Sequence, residues 1–239
     1  MFARLLLTSF LAVLASANPT PEKRQTLARV VSSCVNANEV ALTFDDGPYI
    51  YNTDVVNTLN AAGAKGTFFF NDCIYDQGPA SWVLNAFKNG HQIGSHTWAH
   101  LDLTTLSWDD IHDQMWKVEQ ALTKIAGVVP AFMRPPYGNY NNLVRQASAV
   151  RGQVLAIWDF DSGDSTGSTV AQSETAYDKL IASKPKNILA LNHETEVLPY
   201  AIKKLQAAGY KLVTLAECTG LPAYQSQVAP GTRDSTWKC

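Results

Sequence analysis

The sequence predicts a single α/β domain built on a parallel sheet or barrel. Beyond its first residues, the chain alternates short apolar runs with amphipathic stretches at helical spacing, which is typical of successive βαβ units. Hydrophobic residues make up 46% and charged residues 17% of the 239 residues, so the composition is that of a globular protein with a large core. No linker or repeat interrupts the pattern, which favours one domain.

The predicted elements alternate along the chain. Strands are expected over 40–44, 65–70, 91–95, 131–133, 154–158, 188–191 and 211–215, and helices over 53–62, 81–89, 107–125, 142–150, 170–182 and 198–208. Ser107 followed by Asp110 is typical of a helix N-cap, and Gly90 stands where a helix commonly ends. Residues 134–138 contain two prolines and are predicted as a loop. We also expect a polar loop over 159–169 and an irregular tail from about 220.

The first residues have the features of a secretory signal peptide, predicted over residues 1–17. Arg4 precedes an apolar run over 5–15, and Ala15-Ser16-Ala17 is typical of a cleavage site. The alternative is a membrane anchor, but the run is too short to span about 30 Å of hydrocarbon. Residues 18–24 end in Lys23-Arg24 and are predicted to be a propeptide, which leaves 25–239 as the mature domain. We therefore expect a secreted protein, extracellular or associated with the cell wall.

Charge and cysteine content narrow the possible functions. The formal net charge of −2 gives no basic excess for binding nucleic acid. The four cysteines, Cys34, Cys73, Cys218 and Cys239, are widely spaced and lack the grouping of a structural zinc site. In a secreted chain they indicate two disulfides, and three pairings are open.

Polar side chains follow several of the predicted strands. Because the carboxyl ends of parallel strands carry the active site in such folds, these residues could converge on one face. They are Asp45 with Asp46, His96 with His100, Arg134 to Gly138, Asp161, and His193. Each has a simpler explanation when it is taken alone. Asp45 with Asp46 could form a solvated turn, His96 with His100 could be a surface pair, and Arg134 could form a surface ion pair. Asp161 could cap a turn, and His193 could form a hydrogen bond in the core.

The two histidines suggest a metal site. On a helix, the spacing of His96 and His100 would place both imidazoles on one face. Two histidines and one carboxylate form a typical open catalytic zinc site, which leaves a position for water.

Together these residues resemble the five ordered motifs of the polysaccharide deacetylase family, the NodB-homology group also called carbohydrate esterase family 4. The motifs are Thr43-Phe44-Asp45-Asp46-Gly47-Pro48, His96-Thr97-Trp98-Ala99-His100, Arg134-Pro135-Pro136-Tyr137-Gly138, Asp161-Ser162-Gly163-Asp164 and Leu191-Asn192-His193. The resemblance spans about 40–215, and the segments 192–195 and 232–237 are most like those of fungal chitin deacetylases. It implies a distorted parallel (β/α) barrel of seven strands.

The resemblance also implies a role for each motif residue. Asp46, His96 and His100 match the ligands of one divalent metal, for which zinc is the first expectation and cobalt an alternative. Asp45 matches the general base, and Arg134 matches the residue that holds this base in place.

Four further residues match the groups that handle the acetyl group and the leaving amine. The backbone N–H of Tyr137 matches the oxyanion donor, and Leu191 matches the apolar wall of the acetyl pocket. His193 matches the general acid, and Asp161 matches its carboxylate partner. Ser165 departs from the family pattern, which has an aromatic residue there, so Trp158 or Trp98 would have to fill the space, or the pocket is wider.

The resemblance implies a disulfide between Cys34 and Cys218, with Cys73 and Cys239 as the second pair. We therefore expect a secreted, monomeric, metal-dependent deacetylase that acts on the N-acetylglucosamine units of chitin or its oligomers and binds neither nucleic acid nor membranes. The alternatives are an acetylxylan esterase of the same family and a non-catalytic chitin-binding protein.

Overall fold

A computed structural model describes residues 26–193 and 196–239. The predicted signal peptide (1–17) and propeptide (18–24) lie outside these residues. Within the described ranges, none of the helices combines the length and the apolar character needed to cross a membrane.

Nine parallel strands form one curled sheet with the order β1-β7-β6-β4-β3-β2-β9-β8, and β10 pairs with β2. Two further strands, β5 and β11, form a separate antiparallel pair. The strands are β1 Val30–Val31, β2 Glu39–Gly47, β3 Gly66–Phe70, β4 Gln92–Ser95, β5 Val128–Pro130, β6 Phe132–Met133, β7 Val154–Ala156, β8 Phe160–Asp161, β9 Ile188–Asn192, β10 Lys211–Leu212 and β11 Tyr224–Gln227.

Seven α-helices connect the strands in the part of the chain that the structure describes. They are α1 Asn52–Ala61, α2 Gln77–Lys88, α3 Trp108–Ala126, α4 Asn142–Val150, α5 Val170–Ala182, α6 Leu198–Ala207 and α7 Leu215–Thr219. The predicted N-cap of α3 is confirmed, because the Ser107 hydroxyl accepts a hydrogen bond from the Asp110 amide. The distorted parallel barrel is confirmed as an open half-barrel with β1 and β8 at its edges, and the strand count exceeds seven because several strands are only two residues long.

Apolar side chains on the two faces of the sheet enter different clusters. Leu42 and Phe68 pack outward with the helices, whereas Ala41 and Phe69 belong to an inner cluster. Because both faces are buried, the strands are almost continuously apolar, as parallel strands in α/β folds usually are. This burial makes the strand ends the places where polar side chains can gather.

The structure differs from the sequence-based predictions in two segments. The predicted polar loop over 159–169 begins with β8, whose residues pair with β9. The tail from about 220 is not irregular throughout, because β11 pairs with β5 despite its polar sequence. Local propensity misses both strands, since each depends on a partner that lies far away in sequence.

Two disulfides join distant parts of the chain: the pair that the family resemblance implies, and the remaining pair that was predicted with it. Cys34 is bonded to Cys218 with a Cα–Cα distance of 4.6 Å, and Cys73 is bonded to Cys239 with a Cα–Cα distance of 5.5 Å. The first bridge packs in the inner cluster, near the start of β2.

Candidate active site

The end of β2 delivers two adjacent carboxylates to different environments. Asp45 is buried, with its side chain 3% exposed, whereas the side chain of Asp46 is 46% exposed. Asp46 adopts a left-handed backbone conformation with φ 60°, which aspartate tolerates better than most residues. The turn directs Asp45 inward and leaves Asp46 facing the open end of the half-barrel.

Arg134 holds the buried carboxylate from inside the half-barrel. Its Nη1 donates to Asp45 Oδ1 at 2.8 Å and to Thr43 Oγ1 at 2.6 Å. The other nitrogens donate to the carbonyl oxygens of Ala156 and Ile157 at 3.1 and 3.0 Å. Because one carboxylate oxygen is occupied by the guanidinium, the other oxygen of Asp45 stays available to the site.

His96 and His100 lie beside Asp46, but not on a helix. The segment between them is a loop in which Thr97 and His100 have φ angles of 69° and 50°. The two histidines therefore come together without a helix: two left-handed residues bring the ring centroids to 4.9 Å. His96 Nδ1 is hydrogen-bonded to the carbonyl oxygen of Arg134 at 2.8 Å, so the Nε2 atom of His96 faces Asp46.

The donor atoms of these three residues fit one metal ion. Asp46 Oδ1 lies 3.7 Å from His96 Nε2 and 3.4 Å from His100 Nε2. Zinc ligands at about 2.0–2.1 Å in a tetrahedron lie roughly 3.3–3.4 Å apart, so these two separations are close to those of a zinc site. Burial lowers the pKa of His96, which favours the neutral imidazole that a metal requires.

His193 lies on the other side of Asp46, with its Nε2 3.8 Å from Asp46 Oδ2. Its carboxylate partner is Asp164, and not Asp161 as expected. Asp164 accepts from the His193 amide at 2.6 Å, and its other oxygen lies 3.1 Å from His193 Nδ1. Asp161 is exposed and accepts from the Gly163 amide, so it closes the turn that directs Asp164 inward.

The electrostatics of His193 follow from this pairing. Burial by itself would lower the pKa of His193, but the hydrogen bond to Asp164 and the nearby carboxylates of Asp45 and Asp46 outweigh it. The pKa of His193 is therefore raised above its ordinary value, which extends the charged form to higher pH.

The remaining predicted residues border this arrangement. Tyr137 has φ 60°, and its ring lies against His100 at 4.7 Å between centroids. Leu191 is buried on β9 opposite Thr43. Trp158 packs beside this region. Its ring lies so close to Gly138 that a Cβ atom added to the glycine would be 2.8 Å from the ring.

A cavity of about 440 Å³ opens next to the carboxylates. Asp45, Asp46 and His193 lie along it, and its apolar wall includes Phe44, Val55, Phe68 and Phe70. Tyr49 and Tyr51 also line the cavity and are 63% and 53% exposed. Cavities of this kind, mostly apolar with a few convergent polar groups, are typical of binding sites for small ligands.

Sequence reasoning gave no role to Thr43, the first residue of the first motif, missed Asn71, and gave Asp161 the role of Asp164. Thr43 Oγ1 donates to the Ala190 carbonyl at 2.6 Å and accepts from Arg134, and Asn71 Nδ2 donates to Asp46 Oδ1 at 2.7 Å. Asn71 directly follows β3, and this strand-end position was the signal that could have found it.

Comparisons with known proteins agree with this arrangement. Residues 32–154 match the family model described as polysaccharide deacetylase. A chitin deacetylase of Pestalotiopsis sp. is 34% identical over 229 residues, which cover 90% of this chain and 76% of that protein. A probable peptidoglycan-N-acetylglucosamine deacetylase of Arthroderma benhamiae is 36% identical over 215 residues, which cover 85% of this chain but only 49% of that protein.

A solved structure has the same fold. The chitin deacetylase of Colletotrichum lindemuthianum superposes with a TM-score of 0.76 at 26% identity, covering 82% of this chain and 94% of that chain. The family match, the similarity to the Pestalotiopsis protein and the shared fold lead to one conclusion. The chain belongs to the polysaccharide deacetylase family, the NodB-homology carbohydrate esterases of family 4, and is a deacetylase.

Proposed function

We propose that this protein is a secreted, metal-dependent deacetylase that hydrolyses the N-acetyl groups of N-acetylglucosamine units in chitin and chitooligosaccharides, releasing acetate. One observation carries the proposal: a buried carboxylate and a carboxylate-paired histidine both lie next to the proposed metal ligands. Asp45 Oδ2 lies 3.8 Å from His96 Nε2, and His193 Nε2 lies 3.8 Å from Asp46 Oδ2. Hydrolysis of an amide needs a base for the attacking water and an acid for the leaving nitrogen, and this arrangement can supply both.

Asp46, His96 and His100 would hold the metal, with zinc first and cobalt as the alternative. When bound, a divalent metal supplies Lewis acidity, which polarises a carbonyl and makes a nearby water more acidic. Asp45 accepts the proton of the attacking water at Oδ2, because Arg134 holds its Oδ1.

The acid step favours an amide substrate. An amine is a poor leaving group unless it is protonated, and His193 can deliver this proton at Nε2 while Asp164 holds its Nδ1. The backbone N–H of Tyr137 is proposed to stabilise the oxyanion, and Leu191 to face the acetyl methyl group. Ser165 stands where the family pattern has an aromatic residue. We propose that Trp158, next to Gly138, fills the space of that aromatic side chain.

Substrate choice rests on the cavity and on the similar proteins. The exposed rings of Tyr49 and Tyr51 can stack on the apolar faces of sugar rings at its mouth. Both chitin deacetylases and a probable peptidoglycan-N-acetylglucosamine deacetylase are similar to this chain, and the names of all three refer to acetylated aminosugar polymers. A secreted location is supported by the disulfides, Cys34–Cys218 and Cys73–Cys239, and we propose that the protein acts as a monomer.

An assay of acetate release tests the proposal. Chitooligosaccharides, acetylated xylan and peptidoglycan would be compared, each with chelator and after adding zinc or cobalt back. We expect release from chitooligosaccharides that is lost with chelator and restored by metal. Release from acetylated xylan alone would indicate the esterase alternative, and binding of oligomers without release would indicate a chitin-binding protein. Full activity in a sample without metal would refute the metal dependence.

Two variants test the acid and the base. Asp45→Asn and His193→Ala should each lower kcat by about 10²-fold or more, the scale expected for a lost general base or acid. Metal content should be unchanged, because neither residue belongs to the proposed ligand set. Near-normal turnover in either variant would show that its role is wrong.

A further inference from the structure

Residues 71–75 directly follow β3 and contact both loops that carry the proposed metal ligands. Asn71 Nδ2 donates to Asp46 Oδ1 at 2.7 Å, and this same oxygen lies 3.4 Å from His100 Nε2. The Asp72 amide donates to the carbonyl oxygen of Trp98 at 2.8 Å. Since Trp98 stands between His96 and His100 in the chain, one short segment contacts Asp46 and the histidine loop together.

The same segment is tied to the tail segment, which we define as residues 228–239. Cys73 is bonded to Cys239. The Tyr75 ring lies 5.9 Å from the Trp237 ring and 6.0 Å from the Trp98 ring, measured between centroids. The tail segment therefore reaches the histidine loop through a row of three aromatic rings.

The tail segment is mostly exposed and also contacts α3. Its residues 228–236 are exposed, and Trp237 is the half-buried side chain that packs against the main core cluster. Lys124 of α3 donates to the Thr236 carbonyl at 3.0 Å and lies 5.1 Å from the Tyr75 ring centroid. Two backbone hydrogen bonds also tie the start of the tail segment to the end of α3, from the Val228 amide to the Gly127 carbonyl at 2.7 Å and from the Gly231 amide to the Lys124 carbonyl at 2.8 Å. The last residues of the tail segment are held at residues 73 and 75.

We propose that residues 71–75 and the tail segment act together as a bracket that positions Asp46, His96 and His100 for metal binding. These are positioning residues, since they act through the ligands and not on the substrate. The proposal rests on the metal site of the proposed function. Groups that orient metal ligands commonly change metal affinity by about 10–100-fold when they are removed.

A pair of disulfide variants tests the bracket against a purely structural role. The test variant is Cys73→Ser with Cys239→Ser, and the matched control is Cys34→Ser with Cys218→Ser. The two bridges span similar sequence separations, 166 and 184 residues, so their chain-entropy contributions to stability are similar. The control bridge lies near the start of β2, whereas the site lies at the other end of that strand.

The measured quantity is the affinity of the metal-free protein for Zn²⁺, obtained by competition with a chromophoric chelator. We expect an affinity at least about tenfold weaker in the test variant and unchanged in the control. Equal affinities in the two variants would overturn the bracket. Failure of the wild-type protein to bind Zn²⁺ or Co²⁺ would instead overturn the metal site itself, and the bracket with it.

Single substitutions provide the same test with both disulfides intact. Trp237→Ala should weaken Zn²⁺ binding, whereas Trp116→Ala, which removes a 48% exposed ring from α3, should not. Asn71→Ala should also weaken it. If the bracket acts as a unit, the combined loss for Asn71→Ala with Trp237→Ala is smaller than the product of the two single losses. Fully independent losses, or unchanged Zn²⁺ affinity in Trp237→Ala, would overturn the proposal.

Discussion

Replacement of Arg134 by methionine should both destabilise the fold and disable the site. The guanidinium is fully buried and donates to Asp45, Thr43 and two backbone carbonyls. Methionine fills much of the same space but cannot donate a hydrogen bond. The variant therefore leaves the carboxylate of Asp45, whose side chain is 3% exposed, without its cationic partner.

The expected loss follows from that unpaired charge. Breaking a buried ion pair by removing one partner costs about 3–5 kcal/mol, more than the roughly 1 kcal/mol of an exposed pair. Adding Asp45→Asn removes the unpaired charge, so the double variant should be more stable than Arg134→Met alone. The turnover of Arg134→Met should fall by about 10²-fold or more, since the proposed base is no longer held.

Urea unfolding in the presence of chelator measures the stability, so that metal binding does not contribute. Arg151→Met is the matched control, because Arg151 pairs with the buried Glu119 between α3 and α4, outside the ligand and acid–base set. It should lower stability but leave kcat unchanged. The reasoning would be refuted if Arg134→Met lost less than about 1 kcal/mol, or if the double variant were no more stable than the single one.

Two further predictions follow from titratable groups. Asp164→Asn removes the hydrogen bond that raises the pKa of His193, so this acid loses its proton at lower pH and the basic limb of the kcat–pH profile moves to lower pH. Asp161→Asn should leave this limb in place. The opposite pattern would restore Asp161 as the partner of His193. Burial and Lys65 lower the pKa of His91 from 6.5 to about 4. The unfolded chain therefore binds this proton at a higher pH than the folded protein does, and about 3 kcal/mol of stability is lost as the pH falls from about 6.5 to about 4. His91→Asn, compared with wild type by urea unfolding between pH 7 and 4.5, should show a shallower pH dependence, and parallel curves would contradict this.

The alternation of apolar runs was enough to predict the class of fold and the face that carries the site. Parallel strands buried on both faces must be apolar along their length, so polar side chains are left at the strand ends. This is why Asp45, Asp46, His96, Arg134 and His193 could be placed together from the sequence. The roles of single residues were implied by the resemblance to the polysaccharide deacetylase family.

Tertiary structure alone decided which atoms meet. Asp161 and Asp164 belong to one short motif, and the turn at Gly163, with φ 76°, determines that Asp164 faces His193. Two left-handed residues, and not a helix, bring His96 and His100 together. Local sequence patterns reflect burial and backbone propensity, but they do not determine the conformation of a loop.

Contacts between distant segments were also decided by the tertiary structure. The strand β11 exists because polar residues 224–227 find a partner in β5, and no local signal marks it. Asn71 reaches Asp46 because their strands are neighbours in the sheet. The periodicity of buried residues is a property of one segment, whereas strand pairing is a property of two segments. For this reason the sequence determined most of the strands and helices, and only the folded chain determined which segments pair.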